Sequence, residues 1–147
     1  MKVRACWSAL EGRVEQVLVT LRTQTIEAQR LRDSLFSSQE RLERLYEEYR
    51  AKGAAALESK GMSDAMNHRQ FMSQLLNLRA RVEQDIEKSS VHLERLAYLT
   101  QKAEADRLKM KTLAENDRLA VQKHWNKREQ RSMDDLGVMQ FNRASAP

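Results

Sequence analysis

Apolar side chains recur along the first third of the chain with the spacing of one helix face. Alternating steps of four and three residues from Val3 to Tyr49 reach an apolar residue at twelve of fourteen positions. A repeat of 3.5 residues kept over this length is typical of a helix that pairs with another helix in a left-handed supercoil. The stripe consists of Val3, Trp7, Leu10, Val14, Val17, Leu21, Gln24, Ala28, Leu31, Leu35, Ser38, Leu42, Leu45 and Tyr49. It predicts a first helix over about residues 3–56.

A second apolar stripe follows. Its alternation of four- and three-residue steps is interrupted once by two consecutive steps of four and once by two consecutive steps of three. Its members are Phe71, Leu75, Leu78, Val82, Ile86, Ser89, Leu93, Leu96, Leu99, Ala103, Asp106, Met110 and Leu113. Small residues separate the two stripes between Gly53 and Gly61. Ser63 is a candidate N-cap because its hydroxyl can accept a free backbone N–H, and Asp64 suits a positive first turn. We expect a loop over about 57–62, a second helix over about 63–138 and a disordered tail over about 139–147.

The short connection makes the two helices antiparallel neighbours. A stretch that starts at Ser63 and is as long as the first helix ends at about residue 117. The second helix therefore continues for about 20 residues, or roughly 30 Å, past the start of the first. The predicted fold is all-α: a single domain over residues 1–147 in which two long helices form an antiparallel coiled-coil hairpin. The second helix is the longer one and carries a C-terminal overhang.

Composition agrees with long helices and excludes several classes of protein. Ala, Glu, Lys, Leu and Arg make up 74 of the 147 residues, whereas Gly contributes four and Pro one. This excludes a β-sandwich, a Rossmann domain and a disulfide scaffold. The longest run without a charged side chain has nine residues, against the ~20 that a membrane span needs. The charged start predicts no signal peptide, and the single Cys6 suits a reducing compartment, so we expect a cytoplasmic protein.

No pattern of residues indicates catalysis. His68, His92 and His124 are too far apart in sequence to share a helix face, so the sequence does not support a local zinc site. Cys6 precedes the stripe residue Trp7 and is better read as a small semi-buried thiol than as a nucleophile. A two-helix seam also encloses no pocket of the size that a substrate needs. We expect neither an enzyme nor a bound cofactor or metal.

The net charge of +5 is concentrated near the C-terminus. Residues 118–131 carry a net charge of +4, and this cluster begins where the overhang begins. Its basic members are Arg118, Lys123, Lys127, Arg128 and Arg131. The cluster is open to three interpretations: a contact with a partner protein, a solvated tail, or non-specific nucleic-acid binding. The last is weakened because Trp125 is alone there, whereas single-strand grooves interleave several aromatic side chains.

The loop end of the hairpin carries more apolar residues than a two-helix seam uses. Five of the nine residues from Gln70 to Leu78 are apolar, against two positions in every seven for a seam. Some of these side chains face water unless a partner covers them. A docking surface and a locally wider core are equally compatible with this pattern.

Three segments have the order and spacing of known motifs: residues 45–50 read Leu-Tyr-Glu-Glu-Tyr-Arg, residues 66–71 read Met-Asn-His-Arg-Gln-Phe, and residues 128–135 read Arg-Glu-Gln-Arg-Ser-Met-Asp-Asp. They resemble the FliJ family of flagellar type III export stalk proteins, which has counterparts in injectisomes. The run from Arg128 to Asp135 resembles the family's C-terminal signature, with Glu129, Gln130, Asp134 and Asp135 at the matching positions. Residues 66–71 followed by Leu75 resemble the segment that opens the second helix, with His68 where the family often has Tyr. Residues 45–50 are similar to the segment that closes the first helix.

The resemblance implies a non-enzymatic stalk with two binding ends. The chain ends would enter the export ATPase hexamer, promoting ring assembly and ATP hydrolysis, through Arg118, Lys123, Lys127, Arg128 and Arg131. The loop-end half would contact the cytoplasmic domain of the export-gate membrane protein through Leu42, Leu45, Tyr49, Phe71, Leu75 and Leu78. Export chaperones are a further candidate partner. The expected location is the cytoplasm, peripheral to the inner membrane at the base of the secretion apparatus.

The resemblance also favours a free chain that is monomeric, binds no nucleic acid and does not insert into the membrane. Two alternatives remain open. A basic coiled-coil nucleic-acid binder would use the C-terminal cluster, and a self-associating structural coiled coil would use the apolar excess for homodimers. The sequence does not distinguish a flagellar system from an injectisome.

Overall fold

The computed structural model consists of two long helices, α1 (Ala5–Ser59) and α2 (Met62–Ala144). It describes residues 2–59 and 61–145, with the backbone alone for residues 54–59. Helices make up 96% of the described residues, which include no strand. The two helices contact each other as an α-helical hairpin, and α2 is the longer one. The predicted fold class is confirmed.

The chain divides into two compact units, each built from a stretch of both helices. Unit 1 contains Met1–Val19 and Gln101–Pro147, and unit 2 is Thr20–Thr100. In unit 2, Tyr49 contacts Phe71 and Glu43 contacts Arg79, so residue numbers rise along α1 as they fall along α2. In unit 1 the same order holds, because Arg4 contacts Asp117 and Glu15 contacts Arg107. The helices are therefore antiparallel within each unit.

The helix ends differ from the predicted boundaries. Helix α1 continues to Ser59 and α2 begins at Met62, so both extend into the predicted loop, where Lys60 lies outside the described residues. The Gly61 carbonyl accepts the N–H groups of Asp64 and Ala65 at 3.2 and 3.4 Å. Ser63 therefore lies inside the first turn, and its prediction as the N-cap is wrong. Asp64 lies in the first turn, as expected.

At its other end α2 continues to Ala144, six residues past the predicted end at 138. No proline precedes Pro147, so nothing in this stretch forces the helix to stop. The N–H and hydroxyl of Ser145 both donate to the Phe141 carbonyl, at 3.0 and 2.9 Å. Residues 139–144 of the predicted disordered tail are thus helical. Ala146 and Pro147 lie outside the described residues.

The inward-facing residues of α1 form two heptad lines. One line lies where it was predicted, and the other is displaced from its predicted position by one residue toward the C-terminus. Leu10, Val14, Leu21, Ala28, Leu35, Leu42 and Tyr49 face inward as predicted. The predicted members Val3, Val17, Gln24, Leu31 and Leu45 are exposed. The places of the last four are taken by Leu18, Thr25, Arg32 and Tyr46, which are buried or half-buried. These four residues share one heptad position with Gly53, which is also buried.

On α2 most of the predicted stripe is correct. Leu75, Ser89, Leu96 and Ala103 are buried, and Val82, Ile86, Leu93, Leu99 and Met110 are half-buried. The exceptions are Phe71, Leu78, Asp106 and Leu113, which are exposed. Polar groups on the seam satisfy themselves locally: the Thr25 hydroxyl donates to the Leu21 carbonyl at 2.7 Å, and the Thr100 hydroxyl to the Leu96 carbonyl at 2.8 Å.

Candidate functional site

The six residues predicted to dock the export gate, here called the docking patch, do not form one surface. Leu75 is buried in the core of unit 2, and Leu42 and Tyr49 are half-buried on the seam. Leu45, Phe71 and Leu78 are exposed. The surface available to a partner is therefore centred on these last three side chains. Leu75 is buried and is not itself available for contact.

Aromatic and charged side chains fix the surroundings of the docking patch. The rings of Tyr49 and Phe71 meet across the two helices with centroids 4.5 Å apart and planes tilted by 48°. Close by, the Arg79 guanidinium lies 5.4 Å from the centre of the Tyr46 ring and 3.5 Å from the Glu43 carboxylate. Contacts of this kind hold α1 and α2 in one register, so the exposed apolar side chains are presented on a defined surface.

A buried glycine allows a close contact beside this region. Gly53 lies inside α1, where glycine costs about 1 kcal/mol relative to alanine. The imidazole of His68 occupies the space that a Cβ at position 53 would need. The absence of a side chain at Gly53 therefore lets the α2 ring pack directly on the α1 backbone. The sequence marked Gly53 only as the start of the connection and gave no sign of this role.

The C-terminal part of α2 is the second candidate region. Every residue from Gln122 to Ala144 is exposed, and we call this stretch the overhang. A short distance before it, one contact joins the two helices: the Arg4 N–H donates to Asp117 Oδ2 at 2.8 Å, and Arg4 Nε lies 3.8 Å from Asp117 Oδ1. Asp117 thus supplies a carboxylate to the N-terminus of α1, whose own first turn contains no acidic residue.

The five predicted ATPase-contacting cations differ in their surroundings. Arg118 precedes the overhang and holds Glu115 in a two-pronged ion pair, with Nη2–Oε1 at 2.6 Å and Nε–Oε2 at 3.2 Å. The hydrogen bond from Arg118 holds the pKa of Glu115 below its ordinary value, and the same bond raises the pKa of Arg118. The positive charge of Arg118 is therefore largely balanced by the carboxylate of Glu115. Lys123, Lys127, Arg128 and Arg131 all lie on the overhang.

Three of these cations share one face of the helix with a histidine. His124, Lys127, Arg128 and Arg131, here called the basic face, line a shallow concavity of about 320 Å³. Their spacing of three, four and seven residues places them on adjacent turns. The Arg128 guanidinium lies 5.4 Å from the centre of the Trp125 ring, and the His124 ring meets the same ring edge-on at 5.8 Å. The arrangement suits contact with an acidic protein surface.

A family model described as "Flagellar FliJ protein" matches residues 15–146. The chain belongs to the FliJ family. The match covers nearly the whole chain, including both candidate regions, and the resemblance found in the sequence is confirmed. A search of curated proteins and a search of solved structures each returned no match.

FliJ membership assigns the chain to flagellar export, and the family is one of structural stalk proteins. The signature residues Glu129, Gln130, Asp134 and Asp135 all lie on the overhang and are exposed. They are therefore in a position to contact a partner, and they contribute nothing to the core of unit 1. The FliJ signature and the basic face occupy the same solvent-exposed stretch of α2.

Two features of this FliJ chain went unrecognised in its sequence. His124 belongs to the basic face, although the sequence pattern drew attention to it only as a candidate metal ligand. Asp117 accepts a hydrogen bond from the backbone at the start of α1 and was not among the predicted site residues. The antiparallel register is the signal that could have found Asp117, because it places residue 117 opposite the start of the first helix.

The described residues contain no cluster of His, Cys, Asp or Glu side chains that could hold a metal ion. Cys6 is exposed, in contrast to the semi-buried position expected from the sequence. Within the ranges 2–59 and 61–145, no helix combines the length and the apolar character that a membrane crossing requires.

Proposed function

We propose that this chain is a non-enzymatic central stalk of the flagellar type III export apparatus, with a different partner at each end. The overhang enters the export ATPase hexamer and promotes ring assembly and ATP hydrolysis. The loop-end half contacts the cytoplasmic domain of the export-gate membrane protein. The stalk acts in the cytoplasm at the base of the apparatus, peripheral to the inner membrane, and export chaperones are a further partner.

One observation carries the ATPase half of this proposal. A FliJ-family helix continues for 23 residues, Gln122 to Ala144, in which every side chain is exposed and which includes a basic face. An isolated helix of this kind is marginal in water without a partner. The exposed cations attract an acidic surface from a distance and speed its association. A ring whose inner wall is acidic would supply both the charge and the packing that the overhang lacks.

The test is stimulation of the purified export ATPase by charge-reversed variants. Lys127→Glu, Arg128→Glu and Arg131→Glu together should abolish most of the stimulation while leaving the helical content unchanged. The matched control reverses three exposed cations that precede the overhang on α2, Lys102→Glu, Lys109→Glu and Lys111→Glu, with the same change in net charge. The control should stimulate like the original chain. Equal activity of the two triple variants would refute the electrostatic contact.

The gate half of the proposal is supported by the exposed part of the docking patch. Leu45, Phe71 and Leu78 are large apolar side chains that the hairpin itself leaves in water. Large exposed apolar side chains near one end of the hairpin favour a protein-binding site there. Leu45→Ala combined with Leu78→Ala should weaken binding of the gate cytoplasmic domain, measured by isothermal titration calorimetry. Unchanged affinity would remove the gate from the proposal and leave the ATPase half standing.

A further inference from the structure

The displaced heptad line leaves a groove along one side of unit 2. Leu31 of α1 is 58% exposed, although it was predicted to lie on the seam. Beside it the two helices face each other through the small buried residues Ala28 and Ser89, and an open cavity of about 340 Å³ remains. Leu35 completes the α1 wall, and Asp85, Lys88 and His92 form the α2 wall. The cavity is large enough to receive an apolar side chain from outside.

The same side of the hairpin continues to the docking patch. On α1, Leu45 lies two heptads after Leu31 and so occupies the same face. On α2, Phe71, Leu78, Asp85 and His92 follow one another at intervals of seven residues. The exposed docking-patch residues and the cavity therefore belong to one strip, which we call the side groove. Along α2 it covers 22 residues, and its two ends lie about 32 Å apart.

Unpaired cations accompany the side groove on α2. Arg81, Lys88 and Arg95 lie one heptad apart and form the next row outward from Phe71, Leu78, Asp85 and His92, and Lys88 also lines the cavity. All three are exposed, and none of them takes part in an ion pair among the described residues. Asp85 is the acidic side chain of the groove wall. On α1 the row that borders the groove is uncharged, because its positions 24, 31, 38 and 45 are Gln, Leu, Ser and Leu, and the row directly outside it carries Glu27, Arg41 and Glu48.

We propose that the side groove holds an acidic amphipathic helix as a third strand of the coiled coil, contributed by the gate cytoplasmic domain. The proposal rests on the gate contact of the proposed function and extends it from the docking patch to His92. A groove between two helices accepts a third helix through anchors spaced by three, four and seven residues. One anchor fills the cavity over Ala28 and Ser89, and acidic side chains pair with Arg81, Lys88 and Arg95.

The test measures binding of the gate cytoplasmic domain to full-length variants by fluorescence anisotropy. Leu31→Arg fills the cavity with a charged side chain and should weaken binding by about tenfold or more. The matched control is Ile26→Arg, since Ile26 is 50% exposed but lies on the outer face of α1. Arg81→Glu with Lys88→Glu should weaken binding comparably, whereas Arg22→Glu with Arg30→Glu on the outer face of α1 should not.

The possible outcomes distinguish the side-groove proposal from the proposed gate contact on which it rests. If the unaltered chain binds the gate domain and Leu45→Arg abolishes binding while Leu31→Arg and the α2 reversal do not, the side groove is refuted and the gate contact stands. If the unaltered chain does not bind, both proposals fail. Hydrogen exchange in the gate domain gives a second readout. Protection of an acidic helix on binding supports the proposal, and protection confined to other segments overturns it.

Discussion

The sharpest test of the packing compares two leucines three residues apart on α2. Leu75 is 5% exposed and Leu78 is 48% exposed, yet both belong to the docking patch predicted from the sequence. We consider Leu75→Ala and Leu78→Ala in the otherwise unchanged chain. Leucine and alanine both favour helix, so the two substitutions differ mainly in the apolar surface that they remove from the interior.

The expected magnitudes follow from burial. Leu→Ala in a core costs about 2–5 kcal/mol, and a narrow two-helix seam gives solvent access to the space left behind, so we expect about 2–3 kcal/mol for Leu75→Ala. Full burial of a leucine side chain is worth about 1.5–3 kcal/mol. Leu78 is only half-covered, and its loss should cost less than about 1 kcal/mol. For a chain of this length the difference corresponds to a decrease in Tm of about 5–10 °C against about 3 °C or less.

The assay is thermal unfolding followed by far-UV circular dichroism, paired with calorimetric titration of the gate cytoplasmic domain at a temperature where both variants are folded. Leu75→Ala should unfold early yet bind the gate domain like the original chain. Leu78→Ala should keep its Tm and bind about tenfold more weakly. Equal loss of stability in both variants would refute the assignment of Leu75 to the core and Leu78 to the surface.

Three further predictions concern local contacts. Asp117→Ala removes the acceptor of the Arg4 N–H at the start of α1 and should cost about 1 kcal/mol, with faster hydrogen exchange at the Arg4 amide; unchanged exchange there would contradict the contact. The pKa of Glu115 is lowered in the folded chain, so its pairing with Arg118 stabilises the helix at pH values above the ordinary pKa of 4.5. This stabilisation is lost as the pH falls through the lowered pKa of the folded state. The loss of helicity on acidification, measured by circular dichroism, should be smaller in Arg118→Gln than in the original chain. Identical pH titrations of the two chains would argue against the ion pair. Gly53→Ala should displace the His68 ring, which NMR chemical shifts would report, and unmoved shifts would contradict their packing.

The sequence predicted the period of the α1 seam but not its exact face. Two heptad lines, one through Val17, Leu31 and Leu45 and the other through Leu18 and Tyr46, differ by one residue. The first line carries more aliphatic side chains, so a count of apolar positions selects it. In the structure Leu18 and Tyr46 face inward, and the helix repeat places the positions between them on the same line. Packing against the partner helix makes this choice, and α1 alone does not encode it.

Arg32 shows why polarity was a poor guide at these positions. It lies on the inward line and is half-buried, while its neighbour Leu31 is exposed. A long arginine side chain can lay its aliphatic stem along a seam and keep its guanidinium in water. The Arg32 guanidinium accordingly reaches Asp33 at 3.3 Å on the surface. The side groove exists because Arg32 takes the inward position that was predicted for Leu31, which no pattern in the sequence indicated.

The candidate regions were predicted more fully than the seam. The overhang was expected from helix lengths alone, and it is present with its cations exposed. Membership of Leu75 in the docking patch could not be assessed from the sequence, because surface and core leucines look alike in a short apolar run. Arg118 was grouped with the other cations, although Glu115 lies three residues earlier on the same helix face and pairs with it.

Truncation of the overhang tests the central claim most directly. A chain that ends at Val121 keeps the antiparallel pairs Arg4–Asp117 and Glu15–Arg107 and loses every residue of the overhang. The measurement is export ATPase stimulation, with gate-domain binding by the same preparation as an internal control. A two-ended stalk predicts that the truncated chain binds the gate domain normally and no longer stimulates the ATPase. Full stimulation by the truncated chain would contradict it.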